Sequence, residues 1–240
     1  MRIDVFTIFP TLIDNYACES LLGKAQNKGL LKVNAHDLRD SASGTHKGVD
    51  DAPFGGGPGM VLKPEPVFKA VEDKNPPRPL FLLSPTGQKF NHSKALQLSE
   101  TGGFSLLCGR YEGVDQRIRD YLVDGEISLG DFVLSGGEVA ALAIIESVAR
   151  LVPGVMGNSE SSEAESFTSG LLEYPQYTRP WEFRGITPPE ILRNGNHQEI
   201  REWRKAKALE LTIKERPDLI DERGGVTAEE QSLIAKILDD

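Results

Sequence analysis

Short apolar runs alternate with amphipathic stretches along the first part of the chain. The runs at 1–8, 30–36, 80–83 and 104–108 are continuous or alternating in apolar residues, which predicts strands. Helical spacing of apolar residues predicts helices over 18–28, 64–74, 91–99, 114–122 and 137–151. Strands that alternate with helices indicate an α/β domain with a largely parallel sheet.

The pattern changes after the last of these helices. The stretch 158–169 is polar, with Ala164 and Phe167 as its only apolar residues, and this composition predicts a mobile linker at a domain boundary. Beyond it, helices are predicted over 188–194, 196–214 and 227–238. We therefore predict an α/β domain over 1–158, a linker over 159–169 and a small all-helical domain over 170–240.

Composition narrows the class of protein without naming its partner. The chain has 240 residues, a formal net charge of −9 and two cysteines, so neither a disulfide framework nor a cysteine zinc site is expected. No apolar stretch approaches the ~20 residues that cross a bilayer, and the first residues carry no secretory signal pattern, so we expect a cytoplasmic protein. Residues 176–216 carry nine Lys and Arg against six Asp and Glu, which permits an RNA partner.

Three glycine-bearing loops follow or precede apolar runs. They lie at 82–87, 107–113 and 129–138. Glycine allows a backbone to approach a flat ligand closely and to adopt positive φ. Three such loops at the ends of successive strands predict one composite pocket for a small cofactor.

The common phosphate and hydrolase signatures are missing from the sequence. It contains no GxxxxGK[ST] loop, and no GxGxxG opens a helix after a strand. Neither HExxH nor GxSxG occurs, and the four histidines lack ligand spacing. The predicted pocket therefore differs from the commonest dinucleotide and triphosphate sites.

Six sequence blocks together resemble one family. In chain order they read DAPFGGGPGM at 51–60, LSPTG at 83–87, CGRYEGVDQR at 108–117, SLGDFVLSGGE at 128–138, GLLEYPQYTRP at 170–180 and GNHQEIREWR at 195–204. This order resembles the bacterial tRNA (guanine-N1)-methyltransferases of the TrmD type. Any single glycine-rich loop would be weak evidence, but the six blocks span nearly the whole chain.

The resemblance implies a fold and a reaction. Such enzymes are SPOUT-type proteins in which the C-terminal part of the α/β domain forms a deep trefoil knot. They transfer a methyl group from S-adenosylmethionine to N1 of the guanine at position 37 of tRNA, within the anticodon stem-loop. They act as homodimers whose active sites lie at the subunit interface, and no membrane is involved.

The matching positions imply a set of cofactor-binding residues. By resemblance they are Ser84, Pro85, Thr86, Gly87, Gly109, Tyr111, Glu112, Ser128, Leu129, Gly130, Asp131, Phe132, Val133, Leu134, Gly136 and Gly137. Leu129 to Leu134 would supply backbone partners and an apolar slot for adenine. Gly109, Gly136 and Gly137 would leave room for a bent cofactor.

The resemblance also implies a catalytic pair. Methylation of guanine N1 needs a base, because N1 carries a proton at neutral pH. The family places an aspartate just before the Ser-Phe that precedes its Gly-Leu-Leu block, and this chain has Glu165 there, with Glu163 as a second choice. Arg150 matches an arginine near the substrate guanine, although a helix C-terminal arginine would look the same.

Substrate contacts are implied elsewhere in the chain. His46 and Lys47 in the long N-terminal loop and Tyr177 and Arg179 after the linker are expected to contact tRNA. Mg²⁺ is associated with activity in this family, and Glu112 is the acid nearest the cofactor loops. No ligand cluster in the sequence indicates a dedicated metal site.

Three other interpretations remain open from the sequence. A related knotted methyltransferase could act on another RNA position. The replacement of the expected aspartate by Glu165 leaves room for a catalytically silent RNA-binding protein. A nucleotide-binding regulatory protein would be protected against heat better by ATP or NAD than by S-adenosylmethionine.

Overall fold

The structure is a computed structural model that describes residues 1–157 and 166–238. Its strands are β1 Arg2–Thr7, β2 Lys32–Asp37, β3 Asp50–Asp51, β4 Val61–Leu62, β5 Leu80–Lys89, β6 Gly103–Cys108 and β7 Gly125–Ser128. Its α-helices are α1 Pro10–Ala17, α2 Ser20–Asn27, α3 Pro64–Lys74, α4 His92–Ser99, α5 Gln116–Tyr121, α6 Glu138–Leu151, α7 His197–Glu215, α8 Pro217–Glu222 and α9 Ala228–Leu238. Short 3₁₀ helices lie at Leu38–Ser41 and Glu190–Arg193.

Five of the strands form one parallel sheet in the order β2-β1-β6-β5-β7. The predicted α/β fold with a largely parallel sheet is therefore confirmed. Strands β3 and β4 form a separate antiparallel pair. Parallel strands are joined by crossover connections, which usually contain helices, so helices cover both faces of the sheet.

Alternation along the strands produces two apolar layers. Ile3 and Val5 of β1 belong to a core cluster that includes residues of α4 and α6, whereas Phe6 belongs to a second cluster with residues of α3 and α5. Strand β5 divides in the same way, with Phe81 in the first cluster and Leu82 in the second. Side chains of successive strand residues point to opposite faces, and here both faces are buried.

Several elements of the first unit differ from the sequence prediction, among them β3 and β4, which were not predicted. Helix α1 was not predicted, and its eight residues begin with a proline at the first helical turn, where the missing N–H costs nothing. Strand β7 was also not predicted, because its sequence GEIS has one strongly apolar residue. Strand β5 continues to Lys89, beyond the predicted end at 83, since it resumes pairing with β7 after an interruption.

A second compact unit follows Gly157. Its described residues contain α7, α8, α9 and the 3₁₀ helix at Glu190–Arg193, where a longer helix over 188–194 was predicted. Asn196 caps α7, since its side-chain oxygen accepts hydrogen bonds from the backbone N–H groups of Gln198 and Glu199. Leu171, Leu209 and Ile220 form part of a small apolar core. Helix α8 was not predicted.

Candidate functional site

The ends of three neighbouring strands meet at one cleft. Strand β5 lies between β6 and β7, and Leu83 pairs with Cys108 on one side and with Ile127 on the other. The segments that follow these positions line a cleft of about 270 Å³. The composite pocket expected from the three glycine-bearing loops has a counterpart in this cleft.

Most of the residues implied as cofactor-binding lie along the cleft. They are Ser84, Pro85, Gly109, Tyr111, Glu112, Ser128, Leu129, Gly130, Phe132, Val133, Leu134, Gly136 and Gly137. The other three lie nearby without lining it. Thr86 donates a hydrogen bond to Glu126, Gly87 packs against the backbone of β7, and Asp131 pairs with Lys89 at 2.8 Å on the exposed surface.

The cleft also contains residues that sequence reasoning did not select. Gly113 lies inside a block that was already singled out, so the loop itself was the available signal. Arg119 comes from α5 and Ala140 from α6, and nothing in their local sequence marks them as lining residues. They reach the cleft because the helices pack beside the strand ends.

Two glycines are required by close backbone packing. A Cβ on Gly87 would lie 2.4 Å from the backbone nitrogen of Ile127, and a Cβ on Gly137 would lie 2.8 Å from the Cα of Cys108. The Gly137 N–H also donates to the Gly109 carbonyl at 2.9 Å. The contacts of Gly137 bring the segment before α6 directly against the loop after β6, and that packing shapes the cleft.

A buried carboxylate supports one side of the cleft. Glu138, at the first position of α6, is 1% exposed, and its Oε1 accepts a hydrogen bond from the Thr7 hydroxyl at 2.6 Å. Its Oε2 accepts from Arg110 Nε at 3.0 Å. The Arg110 guanidinium lies 4.5 Å from the centre of the Phe9 ring. Burial, reinforced by Glu138, raises the pKa of the Cys108 thiol well above its usual value, so this thiol is neutral.

A second polar cluster lies beside the cleft and includes Arg119 of its lining. Arg119 Nη1 lies 2.6 Å from Glu126 Oε2 and 3.0 Å from Thr86 Oγ1. Burial acts to raise the pKa of Glu126, but hydrogen bonds from Thr86 and Arg119 outweigh it, and the pKa is lowered. Glu126 is therefore ionised at neutral pH and paired with Arg119.

The third wall is apolar and open to solvent. Phe132, Val133 and Leu134 are 56%, 83% and 40% exposed. Large exposed apolar side chains beside backbone N–H and C=O groups suit a flat heteroaromatic ring, which stacks on the former and hydrogen-bonds to the latter.

The implied catalytic residues are only partly described. Glu165 and Glu163 lie outside the described residues, as does most of the predicted linker. Arg150 lies in the last turn of α6 and is half-buried.

The residues implied to contact tRNA fall on both units. His46 and Lys47 are exposed in the loop before β3, and Lys47 Nζ lies 3.6 Å from Asp40 Oδ1. Tyr177 is half-exposed and lines a groove of the second unit with His197 and Arg201. Arg179 is exposed two residues further along the chain.

The described residues contain neither a metal-binding cluster nor a membrane-spanning helix. Within 1–157 and 166–238, no group of three or more His, Cys, Asp or Glu side chains could hold a metal ion. No helix in the described part of the chain is both long and apolar enough to span a membrane.

The fold and the cleft define a class of protein. Open α/β sheets bind small molecules in a crevice at the carboxyl ends of parallel strands, and this cleft lies at that place. The protein is therefore an α/β protein with a parallel sheet and a cleft at the place where such folds bind small molecules.

Comparison with known proteins identifies the family. The family model described as tRNA (Guanine-1)-methyltransferase TrmD matches residues 1–222. A tRNA (guanine-N(1)-)-methyltransferase of Citrifermentans bemidjiense is 51% identical over 92% of this chain and 90% of its own length. A protein of the same name from Geobacillus kaustophilus is 51% identical over 92% of this chain and 92% of its own length. Another, from Dehalococcoides mccartyi, is 47% identical over 99% of this chain and 97% of its own length. The chain belongs to the TrmD family of tRNA (guanine-1)-methyltransferases.

Proposed function

We propose that this protein transfers a methyl group from S-adenosylmethionine to N1 of guanine 37 in tRNA. One observation carries the proposal. A cleft lies at three parallel strand ends in a chain that is similar over nearly its whole length to proteins named tRNA (guanine-N(1)-)-methyltransferase. Position 37 and the anticodon stem-loop come from the family resemblance.

The described residues fit the cofactor. Leu129, Phe132 and Leu134 offer an apolar surface for a purine, and neighbouring backbone groups offer its hydrogen-bond partners. Arg110, Arg119 and Glu112 bring charges of both signs to the lining, which suits a ligand that carries both a carboxylate and cationic groups. When bound, S-adenosylmethionine supplies an electrophilic methyl group on its sulfonium.

The chain must supply the proton transfer. We assign the general base to Glu165, which would take the proton from guanine N1 as the methyl group is transferred. Its side chain is one methylene longer than that of the family's aspartate. Arg150 is assigned to stabilise the negative charge that develops on O6 as N1 loses its proton.

The architecture around the cleft completes the proposal. We propose that the segment from β5 to α6 forms the trefoil knot of the family. The isolated antiparallel β-bridge between Arg110 and Gly136, within this segment, supports the proposal. We propose that residues 170–240 form a helical tRNA-binding domain joined by the linker, and that Tyr177 and Arg179 there, with His46 and Lys47, contact the RNA.

A homodimer is also part of the proposal. Leu12 and Val139 are 50% and 61% exposed, and they line a groove with Tyr16 and Leu142 on the surface of α1 and α6. An apolar face of this kind suits a second copy of the chain. We further propose that Mg²⁺ can support activity without a dedicated site on the protein.

Incubation with labelled S-adenosylmethionine and two tRNA transcripts tests the reaction. One transcript has guanine at position 37 and the other has adenine there. Label in the guanine transcript alone is the expected result. Label in both transcripts would contradict the assigned target, and label in neither, with tRNA still bound, would indicate a silent RNA-binding protein.

A further inference from the structure

Strand β5 leaves the sheet for a short segment beside the cleft. Leu83 and Gln88 both align with Ile127 of β7, so residues 84–87 form an excursion from the ladder. Ser84 and Pro85 in this excursion line the cleft. The shape of the excursion therefore sets one wall of the cleft.

Side chains hold the excursion where the ladder does not. Thr86 Oγ1 donates to Glu126 Oε2 at 2.5 Å and lies 2.8 Å from Ser84 Oγ. Arg119 donates to the same groups, through Nη1 to Thr86 Oγ1 at 3.0 Å and through Nη2 to Ser84 Oγ at 3.3 Å. Two residues outside the excursion thus contact both of its hydroxyl groups.

The charges in this cluster are largely withdrawn from water. The side chains of Arg119 and Glu126 are 22% and 21% exposed, and Arg119 Nη1 lies within 2.7 Å of both carboxylate oxygens. The Lys89–Asp131 pair is much more exposed, since its side chains are 66% and 84% exposed. Partial burial makes a pair with several hydrogen bonds more rigid and less screened than a surface pair.

We propose that Arg119 and Glu126 are positioning residues for the cofactor cleft. Arg119 from α5 and Glu126 from β7 hold Ser84 and Thr86 so that the 84–87 segment keeps the shape to which S-adenosylmethionine binds. The inference rests on the proposed function, because it takes this cleft as the cofactor site. A planar guanidinium with several donors suits the task, since it can contact two hydroxyl groups and a carboxylate at once.

Titration calorimetry with S-adenosylmethionine tests the role. Arg119→Met and Glu126→Gln should each raise the Kd for the cofactor about tenfold, as expected for the loss of charge-assisted hydrogen bonds. The double variant should be little worse than either single variant, because both act through one pair. The KM for tRNA should stay within about twofold of wild type, since a static wall of the cofactor cleft is altered.

Arg117→Met is the matched control on the same helix. Arg117 pairs with Asp115 at 2.8 Å but is 59% exposed and does not line the cleft. The Arg117→Met substitution removes the same charge and an ion pair, and it should leave the Kd for S-adenosylmethionine unchanged. An equal loss of affinity in Arg117→Met would overturn the proposal in favour of a general effect of charge.

Two further variants separate positioning from stability and from direct contact. Arg119→Lys keeps the charge and the pairing with Glu126 but lacks the second nitrogen that donates to Ser84. Its Kd for S-adenosylmethionine should therefore fall between those of wild type and Arg119→Met. In a Ser84→Ala/Thr86→Val background, Arg119→Met should have little further effect. A full effect there would show direct contact with the cofactor and overturn the positioning role.

The same titrations distinguish the two levels of the argument. Wild-type protein that fails to bind S-adenosylmethionine would contradict the proposed function itself. Wild-type binding, with unchanged affinity in Arg119→Met and Glu126→Gln, would contradict only the positioning role.

Discussion

Arg110 and Glu138 pair at 2.9 Å and join the loop after β6 to the start of α6. The other oxygen of Glu138 accepts a hydrogen bond from the hydroxyl group of Thr7, the last residue of β1. One buried carboxylate therefore ties a strand end, a helix start and a side chain of the cleft together.

Replacement of Glu138 by glutamine should destabilise the protein. The guanidinium of Arg110, 21% exposed, would lose its counter-charge, and breaking a buried pair on one side costs about 3 kcal/mol. Urea unfolding measures the change. Asp73→Asn, which breaks the exposed pair with Lys69, is the control and should cost less than about 0.5 kcal/mol. Equal costs in both variants would contradict the importance of the Glu138 pair.

Replacement of Glu165 by glutamine should nearly abolish methyl transfer. Loss of a general base lowers turnover by about 10²- to 10⁴-fold, while cofactor affinity should persist because the cleft is unchanged. Single-turnover rates and calorimetry measure the two quantities. Glu163→Gln is the matched control and should keep most of the activity. Unchanged turnover in Glu165→Gln would remove Glu165 from the mechanism and point to Glu163.

Gly137→Val should block cofactor binding. Even the Cβ of a larger residue would lie 2.8 Å from the Cα of Cys108, so the loop after β6 and the start of α6 must separate. Equilibrium binding of S-adenosylmethionine measures the effect, with a loss of at least about tenfold expected. Gly102→Ala is the control, because a Cβ there meets no atom within 4 Å. Undiminished binding in Gly137→Val would show that the cofactor site lies elsewhere.

Stability should fall at acidic pH because of Asp4. Burial acts to raise the pKa of Asp4, but hydrogen bonds from His36, Arg2 and Asn34 outweigh it and lower the pKa to about 2. A carboxyl group whose pKa is lowered in the folded state stabilises the fold at pH values above its ordinary pKa, near 3.8. This contribution is lost as the pH falls toward 2. The loss amounts to about 2 kcal/mol.

Denaturant unfolding of wild type and Asp4→Asn between pH 5 and 2 measures this contribution. The wild type should lose stability more steeply than the variant over that window, since asparagine does not titrate. Parallel pH profiles for the two proteins would show that Asp4 does not carry the effect.

Val139→Asp should dissociate the proposed homodimer. A carboxylate in the apolar groove beside Leu12 would lose its hydration on association without gaining a partner of opposite charge there. Sedimentation velocity at several concentrations measures the shift from dimer to monomer. Tyr121→Asp is a control at another exposed apolar residue, 78% exposed on α5, and should leave the association state unchanged. A wild-type monomer would contradict the homodimer.

The general architecture followed from local patterns. The apolar alternation of β1 and the helical composition of 137–151 are encoded by neighbouring residues, so the α/β fold and the parallel sheet could be predicted. Strand β7 could not, because GEIS has little strand character of its own and pairs only because β5 lies beside it.

The candidate site divides in the same way. Gly137 and the other loop glycines were visible in the sequence, since glycine marks close backbone approach whatever surrounds it. The residues that pack against these glycines, such as Cys108 against Gly137, could not be identified from the sequence. The sequence by itself determined four of the five strands of the sheet, the glycine-bearing loops and the family, because each depends on the order of residues along the chain. The tertiary structure alone decided that Thr7 and Arg110 share the carboxylate of Glu138 and that Arg119 reaches Ser84, because these contacts join residues from separate elements that meet only after the helices pack on the sheet.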